Sequence, residues 1–202
     1  MSTPRAPRMS VEARRAQLIE VGQQVFSERA YDDVSTDELS QLAGISKGLL
    51  YHYFGNKRGF YVATIRAVAE EFAAAVSPTP EGDVAAAMLE TLSSFLDFIE
   101  ARPTLYRALI RGGVGADSEV EAIVEGLRRL EATRVLERVG VTDPDPVLWL
   151  KVYGWVGFAE AASLGWLEQT AASGERLVSR EVLIGLLVEA LAAALGPHLE
   201  IV

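Results

Sequence analysis

Apolar positions recur at helical spacing along nearly the whole chain. Between Val11 and Arg29, Leu18, Val21, Val25 and Phe26 share one stripe, with Arg14, Arg15, Gln23 and Glu28 off it. Ser35-Thr36-Asp37-Glu38 reads as a capping box opening a short helix to Ala43, and Gly44 suits the left-handed residue that closes it. Ser46 offers a cap for a second short helix through Phe54, and Asn56 one for a long helix over Lys57–Val76. Further helices are predicted over 83–100, 103–111, 117–138, 145–170 and 178–195. They are separated by Ser77–Gly82, Arg102-Pro103, Gly112-Gly113-Val114-Gly115, Asp143–Pro146 and Ala172-Ser173-Gly174. No alternating β-branched run sits between turn signals, so the expected fold is all-α with about nine helices.

Composition narrows the chemistry. A chain of 202 residues is long enough to bury a core without staples, and it contains no cysteine. Thiol catalysis, disulfides, iron–sulfur ligation and Cys-type zinc sites are thereby excluded, and a reducing cytoplasm fits. The two histidines, His52 and His198, are far apart, and no H-E-x-x-H, Walker or G-x-S-x-G motif occurs. No cofactor, metal site or enzymatic activity is expected. The first ten residues read as a disordered arm rather than a signal peptide. The most apolar stretches, Val147–Leu167 and Val182–Gly196, are interrupted by Lys151 and Glu160 and by Glu189, so no membrane span is expected.

Net charge is −9, which taken alone argues against nucleic acid as a partner. The charge is uneven, however. Residues 1–66 carry nine Lys/Arg and seven Asp/Glu, a net of +2, whereas residues 67–202 carry ten and twenty-one, a net of −11. A mildly basic head on an acidic body leaves room for a nucleic-acid site, or for ordinary solvated helix faces.

The two short helices joined at Gly44-Ile45 have helix-turn-helix spacing, in which the second helix enters the major groove. Lys47, in the first turn of that helix, can reach guanine O6/N7 or a phosphate, and Leu49 can touch a thymine methyl. Gly48 removes a side chain where a base or phosphate approaches, at a helix-propensity cost of about 1 kcal/mol. Leu50 and Phe54, one turn apart, read as core anchors. Tyr51, His52 and Tyr53 carry polar tips suited to phosphate oxygens, or pack as an amphipathic face. Lys57 follows the Asn56 cap and places a cation beside a helix N-terminus, itself an anion site.

The segment Leu18–Ile65 resembles the N-terminal domain of the TetR family of bacterial repressors. Ser35-Thr36-x-x-Leu39, Ala43-Gly44-Ile45-Ser46-x-Gly48-x-Leu50-Tyr51 and Phe54-x-Asn56-Lys57 carry the likeness. It implies a homodimeric, ligand-responsive repressor of palindromic operator DNA. Its arm would be 1–10, its DNA-binding head 11–56 and its ligand-binding and dimerisation body 57–202. Carried over by position, Thr36, Tyr51, Tyr53 and Lys57 are expected at phosphates, and Asp37, Lys47, Gly48 and Leu49 face the groove. Ser46 and His52 complete the candidate DNA-binding set. Many members have histidine where Tyr53 stands, so either His52 or Tyr53 takes that phosphate. Asp37 either accepts from cytosine N4 or favours its helix N-terminus, and Ala30 stands where the family usually has glycine.

The same resemblance places an isologous dimer interface on the last two helices, with Trp155, Phe158, Ala162, Trp166, Leu183, Leu187 and Leu191 as candidates. Buried core helices are the plainer alternative. Candidate pocket residues are Phe95, Phe98, Ile99, Tyr106, Ile110, Trp149 and Tyr153, which also read as ordinary core, and the effector's identity is not legible. Two rival functions stand: a constitutive dimeric regulator without effector, and a helical carrier or enzyme that retains the head.

Overall fold

The computed structural model describes residues 10–77, 83–111 and 117–196. The expected N-terminal arm and most of the Ser77–Gly82 and Gly112–Gly115 separators lie outside those residues. The described residues form nine α-helices and no strand: α1 (Val11–Glu28), α2 (Thr36–Leu42), α3 (Lys47–Phe54), α4 (Lys57–Ala75), α5 (Val84–Ala101), α6 (Pro103–Arg111), α7 (Ser118–Arg138), α8 (Pro146–Ser173) and α9 (Arg180–Leu195). A short 3₁₀ turn, Tyr31–Asp33, follows α1; it carries no hydrophobic period and is not foreseen from the sequence.

The helix starts follow from the short polar side chains before them. Ser10, Ser35, Ser46, Asn56, Asp83, Asp117 and Ser179 each accept a hydrogen bond from a backbone N–H in the first turn that follows. Gly44, at φ 63°, makes the left-handed turn between α2 and α3.

Helices α1 to α3 and the first half of α4 enclose Leu18, Phe26, Val34, Leu39, Leu50, Phe60 and Tyr61. Edge-on ring contacts tie the helices together: Phe26 with Tyr61 at 4.9 Å and Phe54 with Phe60 at 4.9 Å between centroids. Farther along α4, Val68, Phe72 and Val76 enter the body, among Leu92, Phe95, Leu96 and Ile99 of α5, Tyr106 and Leu109 of α6 and Leu136 of α7. One 19-residue helix therefore runs through both cores. Helices α8 and α9 pack as a pair. The Trp155 indole N–H donates to the Leu187 carbonyl at 2.9 Å, and that of Trp166 to Val178 at 2.8 Å.

Gly22 sets how closely α1 approaches α4. A Cβ there would lie 2.4 Å from Thr64 Oγ1 and 2.9 Å from Phe60 Cζ. Both neighbours are fully buried, and the Thr64 hydroxyl donates to the Phe60 carbonyl at 2.9 Å. Gly22→Ala is expected to destabilise the fold by about 1–3 kcal/mol, the overpacking cost exceeding the gain in helix propensity. Urea unfolding checks this; an unchanged or raised midpoint would show that α1 and α4 separate freely.

Candidate nucleic-acid interface

The helix-turn-helix presents one face to solvent. Leu50 is fully buried, while Tyr53 and Phe54 lie half-buried against the core. Ser46, Lys47, Gly48, Leu49, Tyr51 and His52 are exposed. The outward set thus contains a cation, two polar aromatic rings and an apolar tip, with a glycine among them. A Cβ on Gly48 would meet nothing closer than Ser46 Oγ at 4.0 Å. No internal packing asks for glycine there, which is what an external surface approaching the backbone would require.

Several of these groups already have partners. The Ser46 hydroxyl accepts from the Leu49 N–H and is spent as the cap of α3. Lys47 Nζ lies 3.0 Å from a carboxylate oxygen of Asp37, which holds the ammonium's pKa above its ordinary value. Both side chains are largely in water, so this pair is weak and open to competition by an anion. Thr36 is half-buried, and its carbonyl accepts from the Ser40 hydroxyl at 2.8 Å. The rings of His52 and Tyr53 meet edge-on at 5.6 Å. His52 is the more exposed of the two.

Lys57 occupies the first turn of α4, its ammonium 3.9 Å from the centre of the Tyr31 ring. The unforeseen 3₁₀ turn thus steadies this cation by a cation–π contact. Gly59 lets the start of α4 nest against the end of α3, since a Cβ there would lie 2.1 Å from the Phe54 carbonyl oxygen. In the Ser35 capping box the hydroxyl accepts from the Glu38 N–H. The Glu38 carboxylate bonds both the Arg29 guanidinium and the Ser35 backbone, which hold its pKa below the usual range.

Arg58 joins head to body. Its Nε and Nη2 donate to the two carboxylate oxygens of Asp117 at 2.6 and 2.8 Å, and Nη1 donates to Glu119 at 3.0 Å. Asp117 is buried and also caps α7, and these bonds hold its carboxyl below the usual range. A lone arginine beside a cap lysine carries no sequence signal for a partner 59 positions away.

In the body, a cavity of about 80 Å³ lies between α4, α5, α7 and α8. Of the seven expected pocket residues it uses only Phe95. Phe98, Ile99 and Tyr106 fill the core, and Ile110 is half-buried against it. Trp149 and Tyr153 stack at 6.3 Å along α8, with the Tyr153 hydroxyl donating to Glu125 at 2.6 Å. Glu131 and Glu160 line the cavity instead. The signal for Glu160 was its interruption of an apolar helical run.

The residues expected at a dimer interface divide. Leu183, Leu187 and Leu191 are buried within the chain, as are Trp155 and Trp166, whose indole N–H groups tie α8 to Leu187 of α9 and to Val178 just before it. Phe158 is exposed and Ala162 half-buried. The outward apolar surface of the pair consists of Val147, Leu150, Phe158, Val182 and Leu186, with Gly154 and Ala161 between.

Residues 18–64 match the family model of bacterial regulatory proteins of the tetR family, and residues 84–194 that of the tetracyclin repressor-like C-terminal domain. A tetR-family transcriptional regulator from Streptomyces coelicolor is 31% identical, with a TM-score of 0.80 over 96% of this chain and 86% of its own. A TetR-like regulator from Rhodococcus sp. RHA1, 23% identical, shares the fold with a TM-score of 0.69 over 94% of this chain and all of its own. Among curated relatives, the transcriptional activator FasR of Mycolicibacterium smegmatis is 28% identical over 60% of this chain and 56% of its own length. The transcriptional repressor Rv1474c of Mycobacterium tuberculosis is 29% identical over 67% and 76%. With one match covering the helix-turn-helix and the other nearly all of the body, the chain belongs to the TetR family of bacterial transcriptional regulators.

Proposed function

We propose that the protein is a homodimeric repressor that reads a palindromic operator with α3 and is released when a small molecule enters the body cavity. The observation that carries the DNA reading is the outward face of α3: Leu50 anchors the helix while Lys47, Gly48, Leu49, Tyr51 and His52 stand in solvent. Lys47 and Leu49 address bases, whereas Thr36, Tyr51, Lys57 and the His52–Tyr53 pair address phosphates. Asp37 holds Lys47 until a base or phosphate displaces it. The acidic body repels DNA everywhere except where the head docks. Among the described residues no helix is long and apolar enough to cross a membrane, which agrees with action in the bacterial cytoplasm.

Two helices supply the coupling. Helix α4 carries Lys57 and Arg58 at one end and Phe72 at the cavity, about 22 Å away at 1.5 Å per residue. Helix α7 carries Asp117 on Arg58 and, farther along, Glu131 and Val135 at the same cavity. A ligand wedged between them tilts both against the head and moves the two recognition helices off the 34–36 Å spacing of successive major grooves. A coupling of about 1–3 kcal/mol then changes operator affinity roughly 5- to 150-fold.

Fluorescence anisotropy with DNA from upstream of its own gene tests this reading. Lys57→Ala is expected to weaken binding to all sequences alike and to flatten the salt dependence by about one unit. Lys47→Ala is expected to relax preference at one base pair, by about 1–3 kcal/mol. Weak, sequence-indifferent binding by the wild-type protein would refute the proposal.

A further inference from the structure

The body cavity has an apolar neighbour, and one side chain stands between them. Phe72, Phe95 and Trp155 line the cavity, and toward the start of α5 so does Met88. Met88 also lines a groove of about 290 Å³ between the start of α5, the end of α7 and the second half of α9. Val84, Leu89, Val139, Val188 and Leu195 are further walls of that groove. Asp83, Ala85, Leu89 and Ala192, all exposed, place it at the surface. A third space of about 30 Å³, bordered by Val76, Arg134 and Arg138, adjoins the cavity and has Met88 in its wall as well. Among the described residues Met88 is the one side chain common to all three. It is half-buried, turns about three bonds and has no strong hydrogen-bonding group to hold it, so this partition is readily displaced.

The polar groups of the cavity wall already have partners inside the protein. The Thr91 hydroxyl donates to the Ala87 carbonyl at 2.8 Å, and the Trp155 indole N–H to Leu187. Glu131 is paired with Arg134 and Glu160 with Arg128, each at 2.8 Å. What these walls offer is hydrocarbon and ring faces, and such a cavity takes apolar matter rather than water. The groove is alike: its ionisable residue, Asp83, lies exposed at the rim and caps α5 by accepting from the Ala86 N–H. No cation lines the groove among the described residues. Size sets the shape of a ligand. The inner cavity, about 80 Å³, is roughly half the 150 Å³ void that holds a benzene, so alone it takes only a few carbons. From Val84 at the groove to Phe95 at the cavity, α5 runs about 16 Å at 1.5 Å per residue. An extended chain covers about 1.2 Å per bond, so that path has the length of about a dozen carbons.

We propose that groove and cavity form one site for an unbranched aliphatic chain with an uncharged head. The chain enters between α5 and α9, displaces Met88 and ends against Phe72, Phe95 and Trp155, its head left in water near Asp83. A charged group drawn past Met88 would lose its water and find the polar side chains of the wall already engaged. A carboxylate left at the mouth would meet Asp83 and no cation. The inference rests on the effector reading above and names the ligand class and entrance of that site.

The test uses 1-butanol, 1-hexanol, 1-octanol and 1-decanol as probes. Binding to the full-length protein without DNA is followed by tryptophan fluorescence, Trp155 lying in the wall, and by melting temperature. Affinity is expected to rise about fourfold per methylene across the series, the equivalent of about 0.8 kcal/mol per buried CH₂. Octanoate and the branched isomer 2-ethyl-1-hexanol are each expected to bind at least about tenfold more weakly than 1-octanol. Ala192→Phe fills the groove from the exposed side of α9 and should weaken 1-decanol binding at least about tenfold. Met88→Ile keeps an apolar side chain of similar size but is stiff at χ1, so the long alcohols should lose their advantage over 1-butanol. No saturable binding, a plateau at 1-butanol, equal binding of the branched isomer or preference for octanoate overturns the proposal on wild-type protein alone. Undiminished 1-decanol binding in Ala192→Phe overturns it too, and that variant decides even if Met88→Ile does not fold. The operator assay reads separately: alcohol binding that leaves operator affinity unchanged keeps the ligand class and removes its effector role. Failure of the unliganded protein to bind its operator would sink the regulator reading and not the site.

Discussion

Leu150→Glu combined with Phe158→Glu is expected to leave the chain folded, to convert it to a monomer at micromolar concentration and to weaken operator binding by about 10²–10⁴-fold. Leu150 is 66% exposed and Phe158 39%, so neither change removes core packing, and surface substitutions of this kind typically shift stability by about 0.5 kcal/mol or less. The large effect comes from avidity: a dimer engages its second half-site at the effective concentration set by the first, and a monomer does not. The choice of surface rests on two observations. Val147, Leu150, Phe158, Val182 and Leu186 are large apolar side chains exposed on the last two helices. Moreover, Gly154, Gly157, Gly165 and Gly185 sit inside helices where an added Cβ would meet nothing within 4 Å, so nothing in the chain itself asks for their small size. Gly154→Leu separates the two roles of that position. It should leave the monomer at least as stable, by up to about 1 kcal/mol of helix propensity, yet weaken self-association. Sedimentation velocity reads both changes, and a dimer that survives the double glutamate variant places the interface elsewhere.

The second large effect is in pH. Burial pushes Glu131 from the usual 4.5 up to about 7, with Arg134 pulling it down by less. A carboxyl raised by folding is neutral in the native state at low pH, where it carries no penalty. As pH rises, the unfolded chain ionises first, and the native state must then bury the charge. The contribution is therefore fully present below about pH 4.5 and lost as pH passes through about 7. Relative to Glu131→Gln, the wild-type protein is expected to lose about 3 kcal/mol between pH 4.5 and 7.5. The charged groups facing Glu131 are Arg134 from its own helix, Glu160 from α8 across the cavity and Arg138 at the adjoining space. The difference between the two proteins is the quantity to measure, by urea unfolding at several pH values. Glu38, Asp117, Glu125 and Glu181 have lowered pKa values and lose their stabilisation as pH falls, so they tilt the wild-type curve the other way. A difference that stays flat across the window would show that Glu131 is well solvated.

Much of the architecture is legible in single residues because helix starts are local events. Ser35, Ser46 and Asn56 each sit one residue before an observed helix and bond its first turn, which any reader of short polar side chains can anticipate. The recognition face is legible for the same reason. In an eight-residue helix with one buried leucine, placing Leu50 inward turns Gly48, Leu49 and Tyr51 outward, while Lys47 is exposed as the first residue of the helix.

The body resists such reading. Helices α8 and α9 are apolar on nearly every side, so periodicity cannot say which leucines face the chain and which face outward. The expectation placed Leu183, Leu187 and Leu191 at the interface, whereas Val182 and Leu186 are the exposed ones. The Trp155 and Trp166 indole N–H groups reach the carbonyls of Leu187 in α9 and of Val178 just before it, contacts 32 and 12 positions apart. The Arg58–Asp117 junction and the Arg128–Glu160 pair at the cavity likewise join residues remote in sequence. The sequence by itself thus determined the helices, their caps and the outward side chains of α3, all governed by neighbours within about one helical turn. Only the tertiary structure decided where the cavity lies, which residues line it and which apolar side chains stay exposed, because these depend on how helices pack.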